Sequence, residues 1–185
     1  MSSQAQDIDC IRRLETGDSG ALEELYDRYT PLLYSLAHRI LRSASDAEDA
    51  VQNAWVQAWK SAGAYDPHRG TVAAWLLNMT RSRSLDLYRS LASRRRAEEV
   101  VDPDALPLPP DPAAGAHHVQ LGERVRDALG TLEASQRQVL EIAYFEGLSQ
   151  SEIAERIGSP LGTVKSWTRQ GLLRLRELLP QEEWA

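Results

Sequence analysis

The chain of 185 residues contains a single cysteine, Cys10. No intrachain disulfide can form, and a cysteine-rich zinc site is excluded. Cys10 sits among Ile8, Ile11 and Leu14, which favours a buried thiol over a reactive one. Histidine is scarce too: His38, His68 and the adjacent His117 and His118. Neighbours on a helix point about 100° apart, so that pair is a poor ligand set and no metal site is expected. No apolar run approaches the length of a membrane span, and the N-terminus lacks a charged-then-apolar leader pattern. The expectation is a cytoplasmic protein with no membrane segment of its own. A Gly-rich phosphate loop and a nucleophile motif are also missing, so neither an enzyme nor a cofactor is expected. No stretch alternates apolar and polar residues for long, which predicts an all-α fold.

An overall basic charge is absent as well. Net charge is −6 and the isoelectric point is near 5.3, unlike a protein that simply coats DNA. The charge is unevenly spread: residues 1–98 are neutral, 99–130 carry −4 and 131–185 carry −2. With 42% hydrophobic residues the chain can bury a real core and does not read as disordered.

Against these absences stands the stretch Leu148 to Leu179. Ser149-Gln150-Ser151-Glu152 reads as a capping box, in which hydroxyl and carboxylate each satisfy an orphan backbone donor. A short helix with Ile153, Ala154 and Ile157 on one face is predicted next. Gly158-Ser159-Pro160 stops it, and a second helix carries Val164, Trp167, Leu172, Leu175 and Leu179. Helix, three-residue turn and helix is the spacing of a DNA-binding helix-turn-helix. From Arg156 to Arg176 there is no acid, while Lys165, Arg169 and Arg174 lie inside the window. Thr163, Ser166 and Gln170 add groups able to meet phosphates or base edges.

Upstream, Ile8, Ile11 and Leu14 predict a helix over 7–16, ended by Gly17-Asp18. Helical spacing then runs from Leu22 to Tyr29, meets Pro31 and continues from Leu33 to Leu41. Ser45 to Glu48 reads as a second capping box, opening a helix to about Trp59 with Asp46, Glu48, Asp49 and Gln52 in a polar first turn. On the residues alone, a solvated turn with acids favoured by the helix dipole is the preferred reading. Gly63 to Gly70 is a turn closed by Asp66. Thr71 begins a helix with Trp75, Leu76 and Met79, after which come Arg81, Ser82, Arg83, Tyr88, Arg89 and the run Arg94 to Arg96, at what reads as a helix junction. Arginines interleaved with rings suit single-stranded nucleic acid; core rings with solvating arginines would give the same composition.

Val101 to Ala116 has five prolines and three aspartates, which rules out a regular element and marks an extended acidic linker. The predicted domains are therefore residues 1–97 and 117–185, two small helical domains joined by a linker over 98–116. The second opens with Val119, Val125, Ala128 and Leu129 on a helix ending near Gly130. Ser135 to Gln138 reads as a third capping box, and Glu146-Gly147 closes the helix before the helix-turn-helix.

These segments, in this order, resemble the extracytoplasmic-function (ECF) sigma factors of the sigma-70 family. GDSGALEELYDRYTPLLYSLAHRIL is similar to the first helices of the family's region 2. Asp46 to Gln52, with Trp55 and Trp59 behind, resembles the segment that docks on the RNA polymerase clamp. Trp75-Leu76 and Arg81 to Tyr88 resemble the part that melts and reads the −10 element, and Leu148 to Glu177 resembles region 4, which reads the −35 element. The resemblance implies that Asp46, Glu48, Asp49, Gln52 and Trp55 contact core polymerase. It implies −10 contacts from Trp75, Arg81, Ser82, Arg83, Tyr88 and Arg89, with Trp75 and Tyr88 supporting rather than stacking. For the −35 element it implies Arg156, Thr163, Lys165, Ser166, Trp167, Arg169, Gln170 and Arg174. The chain departs from the family at Trp167, where Lys-Ser-Arg usually ends, and at Ser82, often an asparagine. An altered promoter preference, or a packing role for Trp167, is the expectation. RNA polymerase core, promoter DNA and an anti-sigma factor are the partners implied. A ligand-responsive activator would need a sensor domain upstream, and an adaptor without DNA contacts would not need the acid-free window.

Overall fold

A computed structural model describes residues 3–97 and 126–179, and the chain divides into two units. All regular elements among the described residues are helical, and none of these helices is long and apolar enough to cross a membrane. The predicted linker 98–116, His117, His118, Val119, Val125 and the tail after Leu179 lie outside the described residues.

The first unit is built from α1 (Ser3–Glu15), α2 (Ser19–Leu41), α3 (Ala44–Lys60) and α4 (Val72–Ala97). Between α1 and α2, Gly17 takes φ +89° and the Asp18 carboxylate accepts from the Gly20 N–H at 2.8 Å, capping α2. Arg13 closes the same corner, donating to Asp18 and to Glu24, each at 2.9 Å. Its guanidinium holds both carboxyls below their usual range.

Pro31 lies inside α2, which runs through it as one 23-residue helix. An interior proline costs about 3 kcal/mol. Against that, Leu25, Tyr29, Leu33, Leu36, Ala37 and Ile40 bury a continuous stripe, each large side chain contributing roughly 1.5–3 kcal/mol. The stripe outweighs the proline. Arg42 then takes a left-handed conformation at φ 56°, and the chain turns at once into α3.

Ser43, not Ser45, caps α3: its hydroxyl accepts from the Asp46 N–H at 3.4 Å. The capping box predicted at Ser45 is therefore absent, because the helix starts two residues earlier and Ser45 falls inside its first turn. The turn after α3 does form as predicted. Asp66 accepts from the His68 N–H at 2.9 Å, and the Tyr65 hydroxyl donates to the Gly70 carbonyl at 2.9 Å. Thr71 caps α4 by accepting from the Ala74 N–H at 3.1 Å.

The predicted helix junction near Arg81 is not there, since α4 continues unbroken to Ala97. What carries it through is a buried face of Val72, Leu76, Thr80, Ser84 and Leu85. The Thr80 and Ser84 hydroxyls, fully buried, donate to carbonyls four residues back at 3.0 and 2.8 Å. No buried side-chain polar atom among the described residues is left without a partner. α4 packs on both α2 and α3.

The second unit has a helical stretch over 126–130, then α5 (Ala134–Glu141), α6 (Gln150–Ile157) and α7 (Leu161–Leu178). The capping box predicted at Ser135 is also absent: α5 starts after Glu133 with no side-chain cap. Its end is a π-turn, Ile142–Glu146, closed by Gly147 at φ 65°. A small core forms where the helices meet, at Val139 of α5, Ile153 and Ala154 of α6 and Val164 of α7.

Asp7, 4% exposed, anchors α1 to α2 by accepting from Arg28 and from the Tyr29 hydroxyl. Burial, then the Asp7 carboxylate, push the Tyr29 phenol far up, so it stays a donor. Asp7→Ala is expected to destabilise the first unit by about 2–3 kcal/mol, through donors left unpaired. Tyr29→Phe, which removes one hydroxyl, should cost about 1 kcal/mol. Urea denaturation of the full chain followed by circular dichroism measures both.

Candidate nucleic-acid and polymerase interfaces

On α3 the side facing α2 and α4 is lined by Ala47, Ala50, Val51, Ala54, Trp55 and Ala58, all buried. The opposite side is left to solvent, with Glu48, Asp49 and Gln52 exposed and Asp46 half-buried. Four of the five residues expected to meet polymerase therefore share an accessible face. Trp55 does not. It is 5% exposed, its indole N–H donates to Thr30 Oγ1 at 3.1 Å and its ring lies 5.4 Å from that of Tyr26. It holds α3 against α2. Two residues outside the expected contact set extend the exposed stripe by one and two helical turns: Val56, 52% exposed, and Trp59, 46% exposed. Their spacing from Gln52, four and seven residues, is the signal in the sequence that points to them.

On α4 the predicted −10 residues divide between two faces. Ser82, Arg83, Tyr88 and Arg89 are exposed and Arg81 is half-buried. Trp75 is half-buried and meets the Tyr65 ring edge-on at 5.4 Å, as a support within the core. Arg83 Nε donates to Gln57 Oε1, across from α3, at 2.9 Å. Asp86 is exposed on the same helix.

The helix-turn-helix is assembled as its sequence dictates. Ser149 Oγ accepts from the Glu152 N–H at 3.3 Å, and the Ser149 N–H donates to Glu152 Oε2 at 2.7 Å. Gly158, at φ 66°, closes α6 with its N–H on the Ala154 carbonyl, and Pro160 leads into α7. Lys165, Ser166, Arg169 and Gln170 then recur at helical spacing along one exposed side of α7. Neither Lys165 nor Arg169 has a carboxylate partner among the described residues.

The other predicted −35 residues are placed differently. Arg156 pairs with Glu146 of the π-turn, and Arg174 with Glu177 at 3.0 Å on its own helix. Thr163 is half-buried in the first turn of α7. Trp167 packs against the Val139, Ile153 and Val164 core, so the packing alternative holds for that indole. A neighbour with no signal in the sequence is Gln136 of α5. Its Nε2 donates to Gln170 Oε1 at 3.2 Å, and Gln170 Nε2 donates to Ser166 Oγ at 3.3 Å. The helices come this close because position 171 is glycine: a Cβ there would lie 2.8 Å from Leu140 Cδ1.

Residues 25–95 match the family model of sigma-70 region 2, and residues 128–177 match that of sigma-70 region 4. The ECF RNA polymerase sigma factor SigK of Mycobacterium sp. (strain JLS) is 34% identical over 94% of this chain and 91% of its own length. The chain belongs to the ECF sigma factors of the sigma-70 family. SigK of Mycobacterium tuberculosis (strain ATCC 25177 / H37Ra) is 32% identical, with 95% of each chain covered. Among solved structures, Rhodobacter sphaeroides SigE in complex with the anti-sigma ChrR is 28% identical, covering 95% of this chain and 99% of that one, with a TM-score of 0.48. As a sigma factor the protein directs RNA polymerase in promoter-specific transcription initiation.

In this sigma factor Trp167 belongs to the core of the region 4 unit. Trp167→Ala is expected to lower that unit's stability by roughly 2 kcal/mol, less than the ~3–5 kcal/mol of a fully buried ring. Gly171→Val, which forces Leu140 outward, should cost about 1–3 kcal/mol. Denaturant melts of the two variants measure this; an indole used only against DNA would leave the melt of Trp167→Ala unchanged.

Proposed function

We propose that the protein is a dissociable specificity subunit with three exposed helix faces, one meeting core RNA polymerase and two meeting separate elements of promoter DNA. The α3 face, with Asp46, Glu48, Asp49, Gln52, Val56 and Trp59, docks on the clamp of core RNA polymerase. Its acids suit a basic surface and its two apolar side chains give that contact an anchor. α4 opens and reads the −10 element through Arg81, Ser82, Arg83, Tyr88 and Arg89. The linker's aspartates repel duplex DNA. α7 lies in the −35 major groove, with Thr163, Lys165, Ser166, Arg169 and Gln170 toward DNA. Catalysis is left to the polymerase, and the site of action is the cytoplasm.

One observation carries this reading. Lys165 and Arg169 lie on one exposed stripe with Ser166 and Gln170, and no carboxylate among the described residues cancels them. Cations that serve only to solvate a helix need no such arrangement. Because the chain as a whole is acidic, the free protein should bind promoter DNA weakly and the holoenzyme tightly. An anti-sigma factor completes the scheme by holding the protein away from core polymerase in the resting cell. Rhodobacter sphaeroides SigE, solved with the anti-sigma ChrR, is a relative seen with a partner of that kind.

Run-off transcription from a promoter pool, with core RNA polymerase and with or without this protein, tests the proposal. New start sites sharing two short upstream elements are the expected result. Core binding without new starts would instead indicate an adaptor. Arg169→Ala and Lys165→Ala should each lower the slope of log affinity against log salt by about 1 for every phosphate that is no longer neutralised. Asp49→Arg and Trp59→Ala should weaken capture of core polymerase and leave the melting curve unchanged.

A further inference from the structure

We infer that Gln57 is a positioning residue for promoter opening, an uncharged tether that aims the Arg83 guanidinium without neutralising it. The inference rests on the proposal that α4 faces −10 DNA, and it adds a residue from the helix proposed to face polymerase. Gln57 lies in the last turn of α3, half-buried. Its backbone is fixed there, because its carbonyl accepts from both the Ser61 N–H at 2.9 Å and the Ser61 hydroxyl at 2.7 Å. The side chain then reaches across to α4, where Oε1 accepts from Arg83 Nε at 2.9 Å.

The chemistry of that contact is selective. A guanidinium has five N–H donors, and Nε carries one of them. With Nε satisfied from the protein side, the four donors on the two terminal nitrogens stay available for a bidentate grip on phosphate. A carboxylate at position 57 would orient Arg83 equally well, yet it would cancel the charge that attracts DNA. Such carboxylates do occur elsewhere in this protein, on Arg156 and Arg174. Arg83 has an amide instead. The tether also links two of the proposed working faces, since α3 carries Asp49 and Gln52 while α4 carries Ser82 and Arg83. Docking that settles α3 therefore settles Arg83 as well.

The test compares holoenzymes carrying Gln57→Glu, Gln57→Ala and Arg83→Ala, with each position 57 variant also combined with Arg83→Ala. The probe is a fork-junction DNA with the −10 sequence recovered by run-off selection, and binding is measured across a salt series. Gln57→Glu should flatten the salt slope by about 0.7–0.9, the value for one neutralised phosphate. Gln57→Ala should keep the slope and lower affinity several-fold, because Arg83 keeps its charge but loses its aim. In the Arg83→Ala background both effects should vanish. Effects that persist without Arg83, or a wild-type slope for Gln57→Glu, would overturn the inference while leaving the α4 reading intact. If Arg83→Ala itself changes neither affinity nor slope, Arg83 is not at the DNA and the inference falls with that part of the reading. Circular-dichroism melts equal to wild type for all variants exclude a folding defect as the cause.

Discussion

Close approach of helices through small side chains is the constraint on which both units depend. Along α3 the inner stripe is Ala47, Ala50, Ala54 and Ala58, each no more than 1% exposed. α4 answers with Thr80 and Ser84, fully buried, and α7 crosses α5 at Gly171. Small residues let helix axes come together and lose almost no rotamer freedom on burial. Leu25 and Leu33 of α2, Leu76 of α4 and the Trp55 ring fill the core alongside the stripe. The consequence for function is direct. Each of α3, α4 and α7 packs through one side, α3 through alanines, α4 through Val72, Leu76, Thr80 and Ser84 and α7 through Val164 and Gly171, and presents the opposite side to solvent.

Charge is disposed around this frame in two ways. Arg13 serves structure, bridging Asp18 and Glu24 at the α1–α2 corner, and Arg28 is joined to buried Asp7. In the helix-turn-helix, Arg156 and Arg174 are held by carboxylates, whereas Lys165, Arg169 and Arg176 have no carboxylate partner among the described residues. An exposed ion pair contributes about 0–1 kcal/mol to stability, so these pairings matter less for the fold than for what they remove from the field. The potential at α7 is thus narrower than a count of arginines and lysines implies. A chain with net charge −6 can still present a local site for DNA.

Much of this is legible in the sequence, and the misses share a cause. Helices show themselves because apolar residues recur at 3.6, and the helix-turn-helix because Ser149, Glu152 and Gly158 carry its caps in three local signals. The same capping logic fails at Ser45 and Ser135. A serine three residues before Glu or Gln is compatible with a first turn as well as with a cap, and packing of α3 and α5 on their neighbours decides where the helix begins. Pattern cannot tell that α4 runs through Arg81 unbroken, because Thr80 and Ser84 read as polar. Only their back-bonded hydroxyls make them core residues. Burial of Trp55 and exposure of Trp59 are likewise a matter of which side of α3 meets α2. Residues four apart lie about 40° away from each other around a helix, and at the edge of a stripe that is enough to separate core from surface.

The side-chain bridges between helices are the least legible part, and they explain how small units can hold exposed polar groups in place. Gln57 to Arg83 spans 26 residues, and Gln136 to Gln170 spans 34. Neither pair has any local signature. Both use amides, which donate and accept without adding charge, and both reach an exposed face whose side chains would otherwise sample many rotamers. Ordering a long side chain on its own costs up to about 2 kcal/mol, a cost that is met at binding unless the fold has met it already. A neutral tether from an adjacent helix meets part of it beforehand and leaves the local positive charge in place. A carboxylate beside an exposed arginine adds only about 0–1 kcal/mol to the fold and cancels the charge, whereas the Gln57 amide orders the Arg83 guanidinium and leaves its charge intact.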